Sequence, residues 1–386
     1  MIDVTHLDHI TISPDRQTVT AGAGIRFGAL LTALDRQNLT WTTGICPTVG
    51  LSGFLSAGGF NMQMRKLGLA VDHVASARVV RADGCTVVAS PRENPDLFWA
   101  IRGGGGGNYG IVIEWTLKTL EFPRSAMVLL KYDGQATRLD VANRFLEWAP
   151  KADVDFTSQV NVFKDHSEVM GWCLGCSAEK LQGLLNASGL LSIGAPTVYL
   201  SGGCNSVNAR LFGFVVNECL PDEVIAQYAP FAMNTVQQPF VQIGSFPQFA
   251  YNQSTQQPAA PQAQPYPRFI RLSKSYFVQK RNQLRREVIR DVIARIDQAE
   301  DAAQAWGEWH AWNISASGDA AFAWREEAYA HLEFIVHGDE NPAVHKTREA
   351  WLAGLESYLR PIVGYVSFLP PHPLEGRGND VGCGVN

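Results

Sequence analysis

Residues 41–60 read WTTGICPTVGLSGFLSAGGF. One thiol, Cys46, is followed by a Pro-Thr-Val-Gly turn, and a second glycine-rich stretch comes at once. Three explanations are open: a buried structural cysteine, a nucleophile, or an attachment point for a bound group. Thr48, Gly50, Ser52, Gly53, Ser56, Gly58 and Gly59 carry small or absent side chains, so backbone N–H groups can approach an anion closely. Buried N–H groups without partners are costly. The segment therefore either lies in solvent or holds something polyanionic.

A second glycine block spans Gly103–Gly107 and continues through Asn108-Tyr109-Gly110. It follows a short helix signal, NPDLFWAIR, and precedes a strand signal, IVIEWTLKTLEF. A dinucleotide-binding turn needs the order strand, glycines, helix, and here the order is reversed. No GxxxxGK[ST] occurs, which removes the P-loop. A tight backbone crossing is the plain alternative for this block.

The remaining sequence narrows the class. Of 386 residues 46% are apolar and 18% charged, and the net charge is −5. That composition gives a folded chain rather than a disordered one. No basic stripe marks a nucleic-acid partner, and no apolar run approaches the roughly 20 residues of a membrane-spanning helix. There are seven cysteines, an odd number. Cys173 and Cys176 have CxxC spacing, but a strand over EVMGWCLG would point them to opposite faces. The expectation is buried free thiols and no metal site. No signal peptide is expected from the opening MIDVTHLDHITIS; sequons at Asn38, Asn186, Asn252 and Asn313 hint at secretory ancestry, and the localisation is left unknown.

Short strands and glycine turns are predicted over residues 1–122. Thr18 to Gly22 alternates, and RFGALLTALDRQN puts Leu30, Leu31 and Leu34 on one helix face. A hairpin is predicted around Ala82-Asp83-Gly84. From Pro123 longer strands alternate with amphipathic helices. VDFTSQVNVF and SEVMGWCLG are read as neighbouring strands. Ser177 is expected to cap a helix that stops at Gly189. Leu284, Val288, Val292 and Ile296 form the stripe of the strongest helix. HLEFIVHG is a strand, and a helix over PAVHKTREAWLAGLESYLR turns Val344, Trp351, Leu355 and Leu359 inward. Residues 252–268, rich in Gln and Pro, are expected to be a long surface loop. The fold class is α+β in two segregated parts.

Three ordered blocks now carry a resemblance: GICPTVGLSGFLSAGGF, RKLGLAVDHVASARVVRADG, and NPDLFWAIRGGGGGNYGIVIEWTLK. Together they resemble the FAD-linked oxidases of the berberine bridge enzyme type, within the vanillyl-alcohol oxidase-like superfamily. A weaker likeness continues through GDAAFAWREEAYAHLEFIV (318–336). The resemblance implies a two-part FAD-binding domain of the PCMH type over residues 1–122, with an incomplete N-terminal part. A substrate domain with an antiparallel sheet covered by helices is implied over 123–340, and a return to the FAD-binding domain over 341–386. It implies that Cys46 bonds to C6 of the flavin ring. It places Pro47, Thr48, Val49, Gly50, Gly53, Gly58, Gly59 and Asn61 around the FAD, and Gly110, Ile111 and Val112 against it through their backbone.

Two departures from the family pattern are visible. No R-x-G-G-H loop occurs, whose histidine is the family's second covalent link, and His6 and His9 do not match it. At the other end the family's Y-x-N-Y block reads Tyr365-Val366-Ser367-Phe368, before PPHPLEGRGNDVGCGVN. Both ends are expected to be truncated or altered, with FAD binding and solubility weakened as a result.

The resemblance implies oxidation of a small metabolite at a C–H bond next to oxygen or nitrogen, or oxidative ring closure, as in secondary metabolism. Hydride would pass to the flavin, and oxygen would reoxidise it. A base must come from the substrate domain. On AYAHLEF, Tyr329, His331 and Glu333 fall at i, i+2 and i+4, hence on one face of a strand. Glu333 is the expected proton acceptor, helped by Tyr329 or His331; a merely solvated face is the alternative. His166 and Tyr276 are weaker candidates. The competing functional reading is a non-catalytic remnant that no longer holds FAD.

Overall fold

The structure, a computed structural model, describes residues 2–44, 49–121, 125–204, 270–300, 304–314, 318–338 and 342–363. Five strands of the N-terminal part pair antiparallel: β1 (Ile10–Ile12), β2 (Thr18–Gly22), β3 (Val74–Val80), β4 (Thr86–Ala89) and β5 (Ile111–Lys118), in the order β1-β2-β5-β3-β4. The Asp-Gly signal makes the β3–β4 hairpin: Gly84 takes φ +80°, and its N–H donates to Arg81 O at 2.9 Å. Helix α1 (Phe27–Asp35) lays Leu30, Leu31 and Leu34 into the core beside Val19 and Trp115. Each such side chain contributes about 1.5–3 kcal/mol by leaving water. Three short helices follow: α2 (Leu51–Ser56), α3 (Met64–Leu67) and α4 (Pro95–Ala100).

The second sheet has seven strands: β6 (Ser125–Asp133), β7 (Phe156–Val162), β8 (His166–Cys173), β9 (Thr197–Cys204), β10 (Ile270–Gln279), β11 (Gln304–Ala311) and β12 (Ala328–Gly338). Its order is β10-β12-β11-β7-β8-β6-β9, with every pairing antiparallel. Four helices belong to this part: α5 (Arg138–Trp148), α6 (Ala178–Ser188), α7 (Arg286–Asp297) and α8 (Pro342–Val363). The helix-facing side carries Val128, Leu130, Val160, Val162, Leu332 and Phe334, packed with Phe145, Val292 and Ile296. Side chains alternate along a strand. The other side therefore presents Leu129, Met170, Trp172 and Phe277, and these join the core of the first part. One sheet thus serves two cores, and its second face meets the N-terminal part.

Two expectations change here. Helix α8 does not return to the FAD-binding part. Leu352, Leu355 and Leu359 are buried in the seven-stranded core. Glu356 pairs with Lys274, and Trp351 Nε1 donates to Arg295 O at 2.7 Å. Tyr365 to Phe368 and the segment after them lie outside the described residues. Cys173 and Cys176 are a disulfide, not free thiols. Strand β8 ends at Cys173 and Gly175 turns the chain at φ +74°, which brings the two Cα atoms to 5.3 Å. Strand alternation does not extend through that turn. Cys85 is free and exposed.

The parts are fastened by buried cations. Arg65 of α3 is fully buried and donates to four backbone carbonyls of the α5–β7 connection: Pro150, Ala152, Asp153 and Phe156, at 2.6–3.2 Å. Burial pulls its pKa down to about 10, against the opposing field of Asp153, so it stays charged at neutral pH. Asp72 and Arg325 form a two-bonded ion pair at 2.6 and 2.7 Å. Arg65→Ala strands four carbonyls, and bonds to charged donors are worth about 1.5–3 kcal/mol each. We expect it to cost about 3 kcal/mol or more of stability, read as a lower denaturant midpoint. A midpoint shift within error would show that the clamp contributes nothing.

Candidate functional site

The two glycine blocks meet. Gly105 N–H donates to Ser56 O at 3.0 Å, at the end of α2. Gly58 has φ +105°, and a Cβ there would come within 2.5 Å of the Phe322 ring; a Cβ on Gly103 would strike Phe322 as well. Those two glycines are required by the close approach of the loop before β12. Gly50 and Gly107 face open space instead. Phe60 continues the cradle across to the seven-stranded sheet. Its ring centroid lies 4.4 Å from His310, 5.6 Å from His331 and 5.8 Å from Trp312.

The facing sheet surface is ordered by register. His331 of β12 lies opposite Phe277 and His310. Two residues further along, a polar row crosses the sheet: Ser275, Glu333, Glu308, Asn161, Glu168 and Lys131 are successive cross-strand partners. Within it Glu333, Asn161 and Glu168 are buried. Gln159 Nε2 donates to Asn161 Oδ1 at 3.0 Å. His310 Nε2 stands 3.0 Å from Glu308 Oε1, a close contact without hydrogen-bond alignment. Burial, reinforced by neighbouring His310, holds the His331 pKa well below its ordinary value. His331 is therefore a neutral imidazole at physiological pH.

His331 and Glu333 share the face that meets the cradle, as the sequence predicts. Tyr329 does not. The β10–β12 register slips between Val278 and Gln279, whose partners are Ala330 and Ala328, so Tyr329 is the extra residue of a bulge. Its ring belongs to the helix-side core, and its oxygen accepts Leu284 N–H at 2.8 Å. Burial pushes its pKa up to about 12, against that hydrogen bond; it is a structural phenol. Tyr276 is likewise in the helix-side core. His166 sits at the end of β8, 3.4 Å from Glu168 and 2.6 Å from Asp165. Burial opposes its charge, but these two acids outweigh burial and raise its pKa. Sequence reasoning missed Glu308 and His310. The signal was present in QAWGEWHAW, where Trp306, Glu308 and His310 alternate with Ala305, Gly307 and Trp309.

Residues 1–90 match the FAD binding domain family model. Over 95% of its length the chain is 52% identical to FAD-linked oxidoreductase pytB of Aspergillus terreus, and it spans 46% of that relative. It is 49% identical to FAD-linked oxidoreductase pynB of Aspergillus niger, over 99% of this chain and 72% of the relative. This chain belongs to the FAD-linked oxidoreductases. Its fold agrees with that of Physcomitrella patens BBE-like 1, at TM-score 0.74 and 19% identity, over 93% of this chain and 70% of that one.

Membership in this oxidoreductase family brings FAD, and the residues fit it. Thr42 Oγ1, Thr43 Oγ1 and both amide atoms of Gln63 are buried without hydrogen-bond partners among the described residues. Each such orphan costs about 1–3 kcal/mol, and each has a reason if a polar group docks beside it. Of the family-matched positions, Cys46, Pro47 and Thr48 lie outside the described residues. Val49 is buried, and its carbonyl accepts Phe27 N–H at 3.1 Å. Gly50 precedes α2 and Gly53 lies within it. Gly59 takes φ +77°. Asn61 spends its side chain on its own loop, donating to Gly59 O and Gly68 O and accepting from Gln63 N–H. Gly110 takes φ +120° where a Cβ would meet Val80 O at 2.8 Å, so a tight crossing explains that glycine. Ile111 and Val112 pair with β3, while the β2 ladder stops at Gly22 opposite Glu114 and leaves their other edge beyond it.

Proposed function

We propose that this chain forms the cofactor cradle and the substrate-facing sheet of an FAD-dependent oxidoreductase. Its substrate is a small metabolite, oxidised at a C–H bond next to oxygen or nitrogen or by ring closure at such a carbon. The observation that carries this reading is the acidic row of the seven-stranded sheet, set across Phe60 from a cradle with orphaned buried polar atoms. When bound, FAD supplies the two-electron acceptor, with oxygen as its reoxidant. Cys46 and the backbone of Pro47 to Gly50, Gly53, Gly58 and Gly59, and of Gly110 to Val112, would hold it. Asn61 contributes by fixing the loop that carries Gly59.

Glu333 takes the proton in this scheme. As the substrate loses a hydride from carbon, an O–H or N–H proton passes to a Glu333 carboxylate oxygen, and a C=O or C=N bond forms. Burial of Glu333 excludes water from the transfer. Neutral His331 lies next to it without adding charge. The test is direct: the full chain loaded with FAD is mixed without oxygen with a panel of alcohols, phenols and amines. Bleaching of the flavin absorbance by members of the panel is the expected result. A cofactor that binds and is bleached by none of them would defeat the reading.

A further inference from the structure

Gln63 opens α3 with its backbone engaged and its side chain unspent. Its N–H donates to Asn61 Oδ1 at 2.9 Å, and its carbonyl accepts Lys66 N–H at 3.1 Å and Leu67 N–H at 2.9 Å. The side chain does not cap the helix. Gln63 is 3% exposed, and neither its Oε1 nor its Nε2 finds a partner among the described residues. A primary amide carries two donor hydrogens and an acceptor oxygen, and each buried group left unpaired costs about 1–3 kcal/mol. An apolar side chain of the same length avoids that cost. The place of Gln63 in the fold narrows what the amide can serve. Three residues before it, the Phe60 ring lies 4.4 Å from His310 of β11 and 5.6 Å from His331 of β12. Two residues after it, Arg65 is bonded to carbonyls of the α5–β7 connection. The amide is thus carried by the stretch of the cradle that meets the seven-stranded part.

We propose that the Gln63 amide binds the imide edge of the flavin ring through a paired donor and acceptor. The assignment rests on the reading of this chain as an FAD cradle. The redox-active ring of FAD carries an N3–H between two carbonyls. An amide meets that edge with two bonds: Nε2–H donates to a ring carbonyl, and Oε1 accepts N3–H. A ring that exchanges electrons with a substrate on the sheet belongs on the side of the cradle that meets the sheet, which is where Gln63 lies. Thr42 and Thr43 do not carry the same argument. A hydroxyl is satisfied by any polar neighbour, whereas an orphaned amide selects a group that offers a donor beside an acceptor. Adenine also offers such a pair at its amino edge, so the experiment separates the two ends of the cofactor.

The experiment uses the full chain carrying Cys46→Ala, so that binding is reversible, with and without Gln63→Met. Three probes are titrated into the cofactor-free proteins by calorimetry: FAD, FAD methylated at flavin N3, and ADP. With Gln63 present, FAD should bind about tenfold or more tightly than its N3-methyl form. Gln63→Met should weaken FAD about tenfold or more and change the methylated cofactor and ADP less than about twofold; the coupling between side chain and N3–H is the quantity read. The same variant removes both orphans at equal length, so the cofactor-free protein should unfold at a higher denaturant midpoint. A lower midpoint would make Gln63 a structural residue and overturn the proposal. Equal weakening of FAD and its methylated form would overturn it as well. Weakening of ADP to the same degree as FAD would assign the amide to adenine instead. If the chain with Gln63 binds none of the three probes, the cradle reading itself fails; if it binds FAD without discriminating at N3, the Gln63 assignment fails alone.

Discussion

Glu333→Gln should slow substrate-driven flavin reduction by roughly 10²–10⁴ fold and leave flavin content unchanged. The substitution is isosteric and keeps one acceptor oxygen, so the sheet loses no volume. What it removes is the capacity to hold a proton. Glu333 is buried, and its strand neighbours Leu332 and Phe334 anchor β12 in the helix-side core. The backbone at Glu333 is therefore anchored from the opposite face. Neutral His331 stands two residues away, but burial and His310 keep its pKa well below the ordinary value, so it is a weak acceptor. Tyr329, the other residue of the sequence triplet, points into the opposite core. Rapid mixing without oxygen gives the rate, and the absorbance of denatured protein gives the flavin content. A rate equal to that of the wild type would remove Glu333 from the proton path.

The contrast between Tyr329 and Glu333 shows what strand alternation can and cannot reveal. Period-2 reading placed His331 and Glu333 correctly because β12 is regular from Ala330 onward. It failed at Tyr329 because a bulge adds one residue, and a bulge has no mark in AYAHLEF. Local rules whose cause lies within a few residues were legible. Ser177 accepts Lys180 N–H at 3.2 Å and Gly189 ends α6 at φ +74°; Asp83-Gly84 turns the β3–β4 hairpin. Features decided by distant packing were not. Helix α8 has an inward stripe that would suit either part of the molecule, and its place follows from β10 and α7, through Lys274 and Arg295. Glu308 becomes interesting only because β11 lies beside β12 in this register, and their pairing crosses a connection that sequence alone does not align. The Cys173–Cys176 bridge was missed because the strand was carried two residues too far, past the turn at Gly175.

Cys46→Ala should abolish acid-stable flavin altogether. Cys46 lies two residues after Gly44, the last described residue before it. Gly44 lies among aromatic rings: a Cβ there would be in ordinary contact with Phe27, Phe54 and Phe60 O at 3.7–4.0 Å. Phe60 in turn touches His310 and Trp312. The chain thus enters the Cys46 segment beside the ring cluster that meets the seven-stranded sheet, where the hydroxyls of Thr42 and Thr43 are orphaned, and Cys46 itself lies outside the described residues. A thioether from Cys46 would tether the flavin to the cradle segment. Among the other cysteines, Cys173 and Cys176 are bonded to each other on β8 and its turn, and Cys85 sits on the exposed β3–β4 hairpin. Acid-precipitated wild-type protein is expected to keep its yellow colour, with the flavin on the tryptic peptide that contains residue 46. The variant is expected to release all of its flavin into the supernatant while its unfolding midpoint without cofactor stays near that of the wild type. Flavin retained by the precipitated variant, or a flavopeptide that lacks residue 46, would assign the tether elsewhere.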